Sequence, residues 1–194
     1  MEYAELRGLK TLIVGEVGSG KTSMTAWLLA QAIEVEPLEA ITVLDFAPES
    51  FTARELRAGG SIREYIRIPR ELRYLKAHVR GPRLQSKTRE EALEIARENA
   101  RETSRLLEAY IKSPTPVLFV NDVTIHLHAG SLSLLMRALG EAQTAVLNAY
   151  RGAVIPVEPL EITERERVGV DELARRVDVV IELLPAYCGH GDLT

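Results

Sequence analysis

The feature that most restricts this chain is an octapeptide, Gly15-Glu16-Val17-Gly18-Ser19-Gly20-Lys21-Thr22. It lies between an apolar β run, Thr11-Leu12-Ile13-Val14, and a stretch with helical spacing that Pro37 closes. Its glycines permit positive φ, so successive backbone N–H groups can turn toward one centre. A helix beginning at Gly20 or Lys21 aims the positive end of its dipole at the same place. A loop of this kind calls for an anion, and Lys21 and Thr22 add an ammonium and a hydroxyl beside it. Strand, loop and helix in that order also predict a sheet whose next strand returns in parallel.

The rest of the chain continues the alternation. The spacing predicts a helix over 21–35, a strand over 41–44 ending at Asp45, and a strand over 117–120. A long helix opens on a capping box of Thr88 and Glu91, carries Leu93, Ala96, Ala100, Leu107 and Ile111 at helical intervals, and stops at Pro114. A helix over 131–141, a strand over 144–147, a loop marked by Pro156 and Pro159, a short helix over 171–176 and a strand over 177–184 complete the pattern. Residues 51–87 are less regular: a short helix over 51–58, a turn at Gly59-Gly60 and a strand over 65–68 are expected there. Met24 and Trp27, on the helix after the loop, read as core. The expected fold is α/β, a three-layer α/β/α sandwich with a mainly parallel sheet of about five strands. At 194 residues it forms one domain, 1–194, with a basic segment at 51–87 and a short mobile tail at 185–194.

Composition narrows the setting. No stretch approaches the roughly 18 uninterrupted apolar residues of a membrane span, and Met1–Lys10 lacks the apolar core of a signal peptide. A single cysteine, Cys188, excludes an internal disulfide framework. A cytoplasmic protein with no membrane partner is expected.

The octapeptide matches G-x-x-x-x-G-K-[ST] at every fixed position, in the strand–loop–helix context that the motif requires. In this motif, the Walker A motif, and in its layout the chain resembles the P-loop NTPase superfamily. The resemblance implies a bound nucleoside triphosphate with Mg²⁺. Gly15, Glu16, Val17, Gly18, Ser19, Gly20, Lys21 and Thr22, with Ser23, would surround the phosphates. Lys21 would reach the β and γ phosphates, and Thr22 would ligate Mg²⁺. Val117-Leu118-Phe119-Val120-Asn121-Asp122 supplies an acid after an apolar strand, making Asp122 the expected second Mg²⁺ ligand. A glutamate often follows this aspartate in hydrolysing relatives, but here Val123 follows. The RecA/KaiC-like branch carries its base after the second strand, which points to Glu49 as the candidate and Asp45 as the second choice. Asn148, ending the strand over 144–147, matches the position that reads the γ-phosphate in RecA-like proteins, with Arg151 close behind. No N-K-x-D motif for guanine is present, so ATP is expected over GTP.

Three functions remain open on this reading. One is an ATPase, oligomeric or partner-regulated. The second is a nucleotide-using transferase, since the element order is similar to cob(I)alamin adenosyltransferases, although the altered loop and strand-following glutamate of that family are missing. The third is a regulator that hydrolyses slowly or not at all. Residues 54–89 hold eleven Lys or Arg against three acids, with Arg54, Arg57, Arg63, Arg67, Arg70, Arg73 and Arg80 at the centre. They form either an anion-binding face for nucleic acid or a solvated face neutralised by the acidic helix over 90–108. Tyr65 and Tyr74 alone could stack on bases. His126 and His128 read as a strand pair facing one side, with a loop role favoured over metal binding. Cys188-Gly189-His190 reads as part of the tail.

Overall fold

The apolar runs of the sequence become strands buried on both faces. A computed structural model describes residues 1–53 and 56–184; Arg54 and the 185–194 tail, with Cys188 and His190, lie outside the described residues. A sheet of about five strands was expected, and the main sheet has six: β1 (Lys10–Gly15), β2 (Ile41–Asp45), β5 (Arg73–Lys76), β6 (Val117–Asn121), β7 (Thr144–Tyr150) and β8 (Val179–Leu183). Their spatial order is β5-β2-β6-β7-β1-β8, and every pairing is parallel. β7 therefore separates β1, which carries the glycine loop, from β6, which leads to Asp122.

The period-two alternation of the strands sorts the core into two layers. Leu12, Val14, Leu118, Val120 and Leu147 pack on one face with α4 (Arg89–Lys112), α6 (Leu132–Glu141) and α7 (Leu160–Ala174). Ile13, Val117, Phe119 and Val146 turn to the other, under α1 (Tyr3–Leu6) and α2 (Lys21–Val35). The result is the three-layer α/β/α arrangement that the sequence predicts. Among the described residues no helix is long and apolar enough to cross a membrane.

Several local expectations are corrected. Where a helix over 51–58 was expected, the described residues form two short antiparallel strands, β3 (Phe51–Ala53) and β4 (Leu56–Ala58). Ala, Arg, Glu and Leu favour helix there, but the chain must turn back at Gly59. A Cβ at Gly59 would come within 2.6 Å of the Glu49 carbonyl oxygen and 2.8 Å of that of Pro48, and its φ is +76°. The strand expected over 65–68 is absent from the sheet. Ile66 and Ile68 pack against the α2 layer as loop residues, and β5 takes the sheet position instead. β5 is an edge strand with Arg73 and Lys76 at its ends, which discourages further pairing.

The helix expected over 171–176 starts eleven residues earlier, at Leu160 after Pro159. The long helix begins as expected, with Thr88 Oγ1 accepting from Glu91 N at 3.1 Å. The Glu91 carboxylate, however, takes Lys87 N at 2.7 Å rather than Thr88 N. His126 and His128 lie on and just beyond a short helix, α5 (Val123–Leu127), not on a strand. Met24 packs partly buried against the core, but Trp27 is 44% exposed on the outer side of α2.

Phe119 is fully buried beneath Tyr3, ring centroids 6.2 Å apart. Phe119→Ala should cost about 3–5 kcal/mol, read as a lower midpoint at unchanged slope in urea unfolding.

Candidate functional site

The glycine loop takes its shape from backbone that few residues adopt. Gly18 and Gly20 have φ of +75° and +90°, and Gly20 is the cap from which α2 starts. Gly15 is required for space: a Cβ there would meet Ser19 Oγ at 2.6 Å and the Leu183 carbonyl oxygen at 2.7 Å. Ser19 Oγ is buried and has no hydrogen-bond partner among the described residues. Lys21 folds back over the loop, Nζ donating to the Glu16 carbonyl at 2.6 Å. Burial holds its pKa below the ordinary lysine value, with the charges of Asp122 and Glu16 opposing that shift.

Glu16, at a variable position of the motif, braces the loop from the side. Its carboxylate accepts from its neighbour Val17 N at 2.8 Å and, across the site, from Ala153 N at 2.7 Å and Val154 N at 3.1 Å. Any Cβ at Gly152 would collide with this carboxylate. Burial pushes the Glu16 pKa up, but the three amides together with the Tyr150 hydroxyl outweigh it and leave the group below the ordinary glutamate value.

Asp122 sits at the end of β6 in left-handed backbone, φ 59°, the one non-glycine residue so placed among the described residues. Aspartate tolerates this region better than most residues. Two contacts hold it: its N–H donates to Asn148 Oδ1 at 2.9 Å, and Thr124 donates its hydroxyl to the carboxylate. Burial raises its pKa; Thr124 and the charges of Lys21 and His128 pull it down, and that of Glu166 adds to the rise. Asn148 also donates to Thr25 Oγ1 and Asn121 Oδ1, both at 2.8 Å. Asn121 passes the network on to Asp45 Oδ1 at 2.8 Å.

A cavity of about 430 Å³ opens above these strand ends. It collects Val17, Gly18, Gly20, Lys21, Thr22, Asp122 and Asn148 from the expected site. Gly15, Glu16 and Ser19 lie behind it as supports, and Ser23 is exposed on α2 outside its lining. Glu49 also stands outside the lining, its side chain 79% exposed and 4.0 Å from Lys76. Asp45 is fully buried and saturated by Ser61, Tyr74, Ile62, Asn121 and Ala47. Arg151 points away, paired with Asp171 at 2.6 Å, while its N–H donates to the Gly15 carbonyl at 2.9 Å.

Sequence reasoning did not identify Arg83, His128, Tyr150 and Glu166 as cavity residues. His128 Nε2 meets Glu166 Oε2 at 2.8 Å, and Arg83 donates to the same oxygen. Two cations approach the Tyr150 ring, Lys21 Nζ at 5.9 Å and the Arg83 guanidinium at 5.7 Å from its centroid. Burial raises the Tyr150 hydroxyl to about 12. A buried carboxylate inside a helix leaves a sequence signal only as a polar residue at an apolar interval: Ile162, Glu166, Gly169 and Leu173 share one face.

Much of the basic segment is neutralised. Arg57 pairs with Glu64, Arg80 with Glu98, Arg83 with Glu166 and Arg89 with Glu161. Arg73 caps α4 through the carbonyls of Ala109 and Ser113. Arg63 stacks over Tyr74 at 4.1 Å, and Arg63, Arg67 and Arg70 pair with no carboxylate among the described residues. His126 is buried between Thr103 Oγ1 at 2.8 Å and the Ser131 carbonyl at 3.1 Å, and burial lowers its pKa.

No family model matches the chain, and no curated protein does. Among solved structures it is similar to a Pyrococcus horikoshii OT3 protein, the subject of a structural study of Project ID PH0250 (9% identity, 94% of this chain, 88% of that one, TM-score 0.41). It is also similar to the Hef helicase domain of Pyrococcus furiosus (10% identity, TM-score 0.44), with 94% of this chain covering 36% of that one. A third is the flagellar accessory protein FlaH of Methanocaldococcus jannaschii (9% identity, 82% and 68% covered, TM-score 0.39).

The Glu16 brace carries a pH signature. A folded pKa below the ordinary 4.5 means its stabilisation is complete above that value and fades as pH falls through the lower, folded one. Thermal melts from about pH 6 to about pH 3 should show a shallower acid decline for Glu16→Gln than for the wild type.

Proposed function

We propose that this protein binds ATP with Mg²⁺ on the loop Gly15–Thr22 and hydrolyses the β–γ anhydride to drive or switch a partner. The observation that carries this reading is the convergence of Lys21, Thr22 and Asp122 on one cavity, below a loop whose φ values suit anion binding. The donors fit the group: Thr22 and Asp122 are hard oxygen ligands of the kind Mg²⁺ takes, and the buried Ser19 Oγ has no partner within the described residues. Mg²⁺, when bound, would neutralise charge on the phosphate oxygens. In this reading Lys21 exchanges its bond to the Glu16 carbonyl for the phosphates, so binding costs the loop one internal contact and returns a charge-assisted one. Asn148 keeps Asp122 in place and bridges to α2 through Thr25. Arg151 would act only after leaving Asp171. A partner of anionic character, nucleic acid included, would meet Arg63, Arg67 and Arg70, and homo-oligomers are compatible with this scheme.

A second reading, a regulator with little turnover, is favoured by one observation: neither Val123, buried beside Asp122, nor the exposed Glu49 offers a base on the cavity wall.

Lys21→Ala should weaken Mg·ATP binding at least ~100-fold, about 2.7 kcal/mol, in titration calorimetry, with the far-ultraviolet circular dichroism unchanged. Chelation of Mg²⁺ should weaken wild-type binding as well. Equal affinity of Lys21→Ala and wild type would remove the assignment.

A further inference from the structure

The buried trio of Arg83, His128 and Glu166 is not explained by packing. Each of these side chains is nearly inaccessible, the Arg83 and Glu166 side chains at 4% and 7% and His128 at 5%. Apolar residues at such positions commonly give equal or greater stability than a buried ion pair.

The arrangement of the trio is asymmetric. Both hydrogen bonds, from His128 Nε2 and from Arg83 Nη2, fall on Glu166 Oε2. Oε1 makes no hydrogen bond with the described residues. Arg83 is itself fixed from a second side, Nη1 donating to Thr163 Oγ1 at 3.0 Å on the same helix as Glu166. The carboxylate is thus gripped by one oxygen and has the other unengaged, in a residue that lines the same cavity as Lys21, Thr22 and Asp122.

We propose that Glu166 is the general base of the reaction, taking the proton from the water that attacks the γ-phosphorus, with Arg83 and His128 as positioning residues. This rests on the nucleotide reading above. The water oxygen bonds to the γ-phosphorus, and the bond from that phosphorus to the bridging oxygen breaks with its electron pair leaving on ADP. The water proton passes to Glu166 Oε1, so the products are ADP and orthophosphate. Arg83 and His128 hold Oε2 so that the other oxygen faces the cavity. Val123 and Glu49 need then supply nothing.

Three measurements on the full chain test this: Mg·ATP affinity by calorimetry, melting temperature, and single-turnover phosphate release with enzyme in excess. Glu166→Gln should bind Mg·ATP within about twofold of wild type and release phosphate at least ~100-fold more slowly, the range that loss of a general base produces. A cross-link between helices would instead lose melting temperature and affinity together. Should Glu166→Gln melt below the assay temperature, Glu166→Asp decides. It keeps the charge beside Arg83 and His128 but draws the oxygen back by one methylene, so kcat should fall with KM unchanged. Near-wild-type turnover in both variants overturns the proposal. So does a wild type that binds Mg·ATP and releases no phosphate, or a loss of turnover in Glu49→Gln that Glu166→Gln does not share. A wild type that binds no ATP removes the nucleotide reading itself.

Discussion

Side-chain amides and carboxylates run as a continuous hydrogen-bonded chain across the ends of β7, β6 and β2. Thr25 receives Asn148, Asn148 meets Asn121, and Asn121 donates to Asp45, itself the acceptor for Ser61, Tyr74 and the Ile62 amide. Asn121 also donates to the Gly60 carbonyl at 3.0 Å. Buried polar groups are costly unless satisfied, and a network in which each member has its partners is rigid. This one ties the loop helix, at Thr25, to the segment that follows β4. The floor and the roof of the cavity therefore answer to one set of bonds. Asp122 is held by the same set, because Asn148 takes its amide.

Burial acts on both charged groups at the centre of the site. The ammonium of Lys21 and the carboxylate of Asp122 are each pushed toward neutrality, and each is pulled back by the other's charge. Neither side chain spends its charge on a strong salt bridge: Lys21 rests on a carbonyl, and Asp122 on a hydroxyl. Charges held this way in low dielectric respond strongly to a new charged neighbour, since each Coulomb term is larger than it would be in water. The surrounding protein has thus met the desolvation cost before any ligand arrives.

What could be read in the sequence was local in origin. The octapeptide, the β runs of β1, β2, β6 and β7, and the Thr88 cap each depend on residues within a few positions, so their patterns survive in one dimension. The β3–β4 pairing did not survive, because it goes with the close passage of Gly59 past Pro48 and Glu49 rather than with local propensities. β5 was hidden by its charged ends, which suit an edge and resemble a loop. α7 was shortened for a different reason: its inner face carries Glu166, so the apolar rhythm breaks where the site begins. The same residue that obscured the helix lines the cavity.

Backbone geometry at Asp122 explains why an acid should come from so far along the chain. The left-handed turn at Asp122 carries Val123 into the apolar layer, where it is fully buried with Leu44, Leu118 and Leu135. A glutamate in place of Val123 would enter that layer, and an unpaired carboxylate there would cost several kcal/mol, on the order of the penalties for buried ions. The turn that presents Asp122 to the cavity therefore excludes its neighbour from it. β2 offers no substitute: Asp45 is consumed by the network, and Glu49 has already left for solvent beside Lys76. On the hydrolytic reading proposed above, a base would come from an element that crosses the cavity from outside the sheet. Among the described residues α7 is such an element and brings Glu166 to the cavity wall, braced by Arg83 from α3 (Pro82–Gln85) and by His128 at the end of α5.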